Sequence, residues 1–268
     1  MIKYQMFKST YDLAKFLEST PVKWQRPDGH GDYLNARLIE KLKYGDSVLV
    51  GKLKCSVKTR GKKEVLIEDA YGKMPDVSKA LMGDPYCFVA TDEVDIENKY
   101  ITIVYDQSVS CNYSSAKIIE NGKRLLRALK YLEQNDYRVR LYGCTTGTGT
   151  NTNMMLCQLK DYGQPFCLTK IAFAIANPEW LRGVDFAWTD RSPVTEYQYG
   201  YGRPAYIDWN AQSLANGLSR ELKCGVLMVS EKMVESNPRY SEEENDARFI
   251  KRLEEMSVKI LKQGFTNQ

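Results

Sequence analysis

Asp106-Gln107-Ser108-Val109-Ser110 sets a carboxylate and two hydroxyls at alternate positions. The segment follows directly on the strongest strand pattern of the chain, Ile101-Thr102-Ile103-Val104-Tyr105, and precedes a long helical pattern. In an open α/β sheet the carboxyl ends of the strands border the crevice where ligands bind. Side chains two apart on an extended segment share a face, so Asp106, Ser108 and Ser110 can enter one crevice together. Such a set of oxygens suits a hard cation such as Mg²⁺. The plainer role for the same side chains is to cap the helix that follows.

Other chemistries find less support. His30 is the single histidine and sits in Pro27-Asp28-Gly29-His30-Gly31-Asp32, a loop pattern, so histidine-based zinc sites and catalytic triads are not expected. The seven cysteines, at positions 55, 87, 111, 144, 157, 167 and 224, include no pair separated by two residues, which argues against a zinc ribbon or a dithiol redox pair. The loop Gly143-Cys144-Thr145-Thr146-Gly147-Thr148-Gly149-Thr150-Asn151 lacks the Gly-Lys-Ser/Thr ending of a phosphate-binding loop and lies between two strands. Asp161, Asp185 and Asp190 are further carboxylates, with no pairing that points to hydrolysis. A non-enzymatic role is expected.

Two surface segments suggest binding. Lys52, Lys54, Lys58, Arg60, Lys62 and Lys63 fall within twelve residues on an expected hairpin with a turn at Gly61. Unbroken strands would align most of these charges on one face, able to track phosphates or to serve as a solvated edge that resists strand pairing. Residues 195–206 are rich in tyrosine and glycine. Tyr197, Tyr199, Tyr201 and Arg203 there offer large, rigid contact surfaces for a protein partner or for stacked bases.

The elements that must position these residues come in two parts. Residues 1–98 carry short mixed elements and are expected to form a small α+β region. These include a helix near Thr10–Leu17 capped by Ser9, and a second helix carrying Leu34, Leu38, Ile39 and Leu42. From residue 99 to the end, strands alternate with helices, the pattern of a Rossmann-like, mostly parallel sheet with helices on both faces. Ser114–Gln134 carries an apolar stripe of Ile118, Leu125, Leu129 and Leu132. Tyr137–Tyr142 and Met154–Leu159 are expected to pair as a hairpin. Leu168–Ala176 and Asp208–Leu222 read as helices, and Val184–Trp188 and Gly225–Val229 as strands. The last helix opens on a Ser241/Glu244 capping box and carries Phe249, Leu253, Met256 and Ile260 on one stripe.

Asp106-x-Ser108-x-Ser110, its preceding strand and its following helix resemble the metal-ion-dependent adhesion site of von Willebrand factor A domains, in particular the intracellular, chelatase-associated members. That resemblance implies Mg²⁺ held by Asp106, Ser108, Ser110, Thr169 and Asp190, with an acidic residue of a protein partner completing the shell. Val109 and Cys111 stand where the motif usually has Gly and Met. Arg191 stands where a Gly is usual, and a guanidinium there could pair with Asp190 in place of a cation. Thr145, Thr146, Thr148 and Thr150 compete with Thr169 for the threonine position. The chain as a whole also resembles uncharacterised proteins of bacteriophages and prophages, through Gly83-Asp84-Pro85-x-Cys87, 114–140, 159–165 and 174–182.

Hydrophobic residues make up 43% and charged residues 27% of the 268, enough for a sizeable core and a solvated surface. No apolar run is long enough to span a bilayer, Met1-Ile2-Lys3-Tyr4-Gln5 lacks a signal-peptide pattern, and the odd number of cysteines fits a reducing compartment. The expected setting is a bacterial host's cytoplasm, with a virion as a further location. The expected role is a protein-interaction module docking at a divalent-metal site. The alternatives are a nucleic-acid-binding protein using the basic 52–63 segment and the 195–206 loop, which the net charge of +4 permits, and a virion structural or assembly component.

Overall fold

The computed structural model describes residues 2–23, 32–53, 63–69, 74–75, 77–82, 88–94, 99–109, 113–148, 152–195 and 207–262. The chain divides into two compact units: residues 1–57 with 99–268, and residues 58–98.

In the larger unit, β1 (Ile2–Phe7) leads into α1 (Thr10–Ser19), α2 (Ala36–Tyr44) and α3 (Ser47–Leu53). Ser9 caps α1 by accepting from Asp12 N–H at 3.1 Å, and Leu13, Ala14 and Leu17 form its buried stripe. The first 57 residues thus belong with the main sheet, not with a separate region ending at 98. The reason is a long-range one: β1 pairs in parallel with a strand of that sheet far along the chain.

The smaller unit holds β2 (Lys63–Asp69), β3 (Met74–Pro75), α4 (Val77–Leu81) and β4 (Phe88–Val94). Its strands form an antiparallel sheet in the order β2-β4-β3. The basic segment differs from expectation. Lys52 lies in α3, whose first turn is fixed by Asp46 Oδ1 accepting from Leu49 N–H at 2.9 Å, and Lys63 opens β2. No unbroken strand can therefore run through 52–63; Lys54, Lys58, Arg60 and Lys62 lie outside the described residues.

The larger unit resumes with β5 (Lys99–Asp106), α5 (Ser115–Gln134), β6 (Tyr137–Thr148), β7 (Thr152–Lys160) and α6 (Leu168–Ala176). A π-helical turn, Trp180–Val184, runs directly into α7 (Asp185–Arg191). Then come α8 (Ile207–Leu222), β8 (Val226–Ser230), α9 (Glu231–Val234) and α10 (Glu242–Lys262). The sheet order is β1-β7-β6-β5-β8. Every neighbouring pair is parallel except the β6–β7 hairpin. This is the α/β, Rossmann-like, mostly parallel architecture expected of the chain.

Strand alternation divides the core. Ile101, Ile103, Tyr105, Val139, Leu141, Met155, Leu227 and Val229 face the helices α1, α5, α6 and α10. Val104, Tyr142, Cys144, Met154, Leu156 and Met228 face Leu214, Ala215 and Leu218 of α8. The strand expected at Val184–Trp188 is helical. Trp180, Val184, Ala187, Trp188 and Arg191 are all buried at helical spacing, and Trp188 Nε1 donates to Gln5 Oε1 of β1 at 2.9 Å. Strand β8, at Val226–Ser230, therefore occupies the position beside β5.

Candidate functional site

The parallel strands β5 and β8 end side by side, with Asp106 aligned between Ser230 of β8 and Cys144 of β6, which runs on to Thr148. Past Asp106 the chain stays extended, since Gln107 N–H donates to Cys144 C=O at 3.1 Å. Asp106 is 2% exposed. One of its carboxyl oxygens accepts from Ser108 N–H at 3.2 Å, and the other lies 3.5 Å from the hydroxyl of Thr146. Ser108 Oγ accepts from Thr146 N–H at 2.7 Å and lies 3.3 Å from Thr146 Oγ1. A carboxylate and two hydroxyls thus meet at the end of β5, beside the last part of β6.

The helix-capping role falls elsewhere. Ser114 caps α5 by accepting from Lys117 N–H at 3.2 Å, which leaves Asp106 and Ser108 to each other and to Thr146.

Two more buried carboxyls stand close by. Glu231, immediately after β8, is 2% exposed and accepts from Asn121 Nδ2 of α5 at 2.6 Å. Asp185, at the start of α7, is 2% exposed and accepts from Thr145 Oγ1 at 2.5 Å. Burial pushes the Asp106 carboxyl up to about 8, with the Glu231 charge adding to the rise and bonds from Ser108 and Thr146 opposing it. Burial likewise pushes Glu231 up to about 7, and Asp185 well above the usual carboxylate range, with the Asp106 charge adding to it. Burial also raises the neighbouring Cys144 thiol far above its ordinary value, so that thiol stays protonated.

The residues implied by the motif resemblance divide as follows. Asp106 and Ser108 come together; Ser110 lies outside the described residues. Thr169 is in the first turn of α6, where its carbonyl accepts from Asp46 N–H at 3.1 Å and its backbone packs on Gly45, contacts that belong to the α2–α3 junction. Asp190 is buried on α7, not at a strand end, and its carbonyl accepts from Lys23 N–H at 2.7 Å. The Arg191 guanidinium donates to Thr20 C=O, Ala187 C=O and Asp32. Tyr197, Tyr199, Tyr201, Arg203 and His30 lie outside the described residues.

Thr146 is the threonine that reaches the site, and it was legible as one of four candidates in its loop. Glu231 was not singled out, although it directly follows a run correctly read as a buried strand. Among the described residues no three His, Cys, Asp or Glu side chains are grouped to hold a metal. A cation here would need the hydroxyls, and the donors Asp106, Ser108 and Thr146, all oxygen, fit a hard one.

Fold and site together define an α/β domain whose sheet ends in an oxygen-lined, carboxyl-rich edge. The chain belongs to the family described as a domain of unknown function, DUF7192, which matches residues 42–254, from within α2 to within α10. No curated protein and no solved structure matches the chain. Among the described residues no helix is long and apolar enough to cross a membrane.

Proposed function

We propose that this protein is an intracellular docking module, of phage or prophage origin, that presents a divalent cation at the Asp106 edge to an acidic group of a protein partner. The observation that carries this reading is the meeting of the Asp106 carboxylate with the hydroxyls of Ser108 and Thr146 at the carboxyl end of β5, beside the last part of β6. Those three residues would hold the cation. Glu231, whose carboxyl lies near 7, would add negative charge beside it as it loses its proton. A hard cation in this place supplies a Lewis-acidic point to which a partner's carboxylate binds with direction. Free thiols at Cys144, Cys157, Cys167 and Cys224 agree with a reducing compartment.

Titration with Mn²⁺, followed by electron paramagnetic resonance, tests the reading. Saturable binding to the wild-type protein is expected. Asp106→Ala should weaken it by more than about a hundredfold, beyond the loss typical of removing an outer-shell partner. Ser108→Ala should cause a smaller loss. No saturable binding, or equal binding by Asp106→Ala, would remove the cation from the account.

A further inference from the structure

We propose that Asp185 is a positioning residue for the Asp106 edge, acting through Thr145. The inference rests on the cation reading for its purpose but not for its geometry. Thr145 and Thr146 are adjacent in the last part of β6 and, by alternation, face opposite sides of the sheet. Thr146 faces the site, offering its N–H to Ser108 and its hydroxyl to Asp106. Thr145 faces the helices, and its hydroxyl is tied to Asp185 at 2.5 Å. The pair thus ties β6 to α7 directly beside Thr146, the only backbone donor to Ser108 Oγ among the described residues.

Asp185 is poorly explained as a fold stabiliser. It is 2% exposed, and its second oxygen, Oδ2, has no hydrogen-bond partner among the described residues. A buried carboxyl with one oxygen unpaired costs stability that an apolar residue of similar shape would not. Gln107 extends β5 beside Thr145 on the same face, and its Nε2 is likewise buried and unpartnered among the described residues. Two unpartnered polar atoms, Asp185 Oδ2 and Gln107 Nε2, on side chains both more than nine-tenths buried, therefore lie at and beside the Thr145–Asp185 bond. Such unsatisfied groups gather where a structure serves a site at the expense of stability.

Amide hydrogen exchange in metal-free protein, read by NMR, tests the positioning directly. Thr145→Val keeps the side-chain shape and removes the hydroxyl. It should speed exchange at Thr146 N–H about tenfold or more, while Ile103 N–H in the middle of β5 stays within about twofold. Thr145→Ser should restore protection, and Asp185→Asn, which keeps an acceptor, should largely preserve it. Mn²⁺ affinity should fall about ten- to a hundredfold in Thr145→Val and recover in Thr145→Ser. Unchanged Thr146 exchange in folded Thr145→Val would overturn the proposal, as would Thr145→Ser failing to rescue. If Thr146 exchange responds but wild type binds no Mn²⁺, the positioning stands and the cation reading falls.

Discussion

Asp106 illustrates how a site residue opposes the fold that holds it. Its carboxyl titrates near 8 in the folded protein and near the ordinary carboxylate value when unfolded. The folded state therefore binds the proton more tightly. Stability from this group is fully present below about pH 4 and is lost as pH rises to about 8, an effect on the order of 5 kcal/mol for so buried a group. Asp106→Asn removes the titration. In metal-free buffer it should melt at a higher temperature than wild type at pH 8, and the difference should shrink toward pH 5. Thermal melts across that range check this, and a variant less stable than wild type at pH 8 would contradict it. Cation binding should show the opposite trend, strengthening with pH as the proton leaves. At this scale much was legible. Asp106 and Ser108 were visible as a pair because alternation along a strand is a local rule, whereas the cap of α5 falls on Ser114 and not on them.

Among the elements, α5 and α6 come close together at Gly122. A Cβ there would lie 2.3 Å from Ala176 Cβ and 2.6 Å from Ile175 C=O. Helix propensity alone favours Gly122→Ala by about 1 kcal/mol. Overpacking two helix backbones costs typically about 1–3 kcal/mol and occasionally more, so the clash should prevail. Gly122→Ala is expected to lower the urea midpoint without changing the slope, and a raised midpoint would refute the contact. The capping box of α10 is present as the sequence indicated, with Glu244 N–H donating to Ser241 Oγ at 3.2 Å and Ser241 N–H to Glu244 Oε2 at 2.9 Å. The segment Val184–Trp188, expected as a strand, is a short, mostly apolar run of a kind that fits a strand or a buried helix equally. The longer spacing of Trp180, Val184, Ala187, Trp188 and Arg191 was helical all along.

For the molecule as a whole, the family match and the physical unit do not begin at the same residue. The match starts at residue 42, whereas the main sheet needs β1 against β7, and the core needs Leu13, Ala14 and Leu17 of α1 with Leu38 and Ile39 of α2. A chain beginning at residue 42 would expose the edge of β7 and the apolar seats of both helices. It is expected to lose the cooperative melt of the full chain and to aggregate on size exclusion. A soluble, cooperatively folding fragment would show that the first two helices are dispensable.

The sequence by itself determined the alternation of strands and helices, the α/β class, the caps of α1 and α10, and the placement of Asp106 at the end of a buried strand. These follow from hydrophobic period and capping chemistry, which act within a few residues. Tertiary structure alone decided that β8 lies beside β5, that Glu231 and Asp185 back the site while Asp190 sits in α7, that Thr146 reaches Ser108 while Thr169 serves the α2–α3 junction, and that β1 completes the sheet. Each of these depends on which distant segments share hydrogen bonds and buried surface, a competition settled by the packing of the whole core and not by any stretch of chain alone.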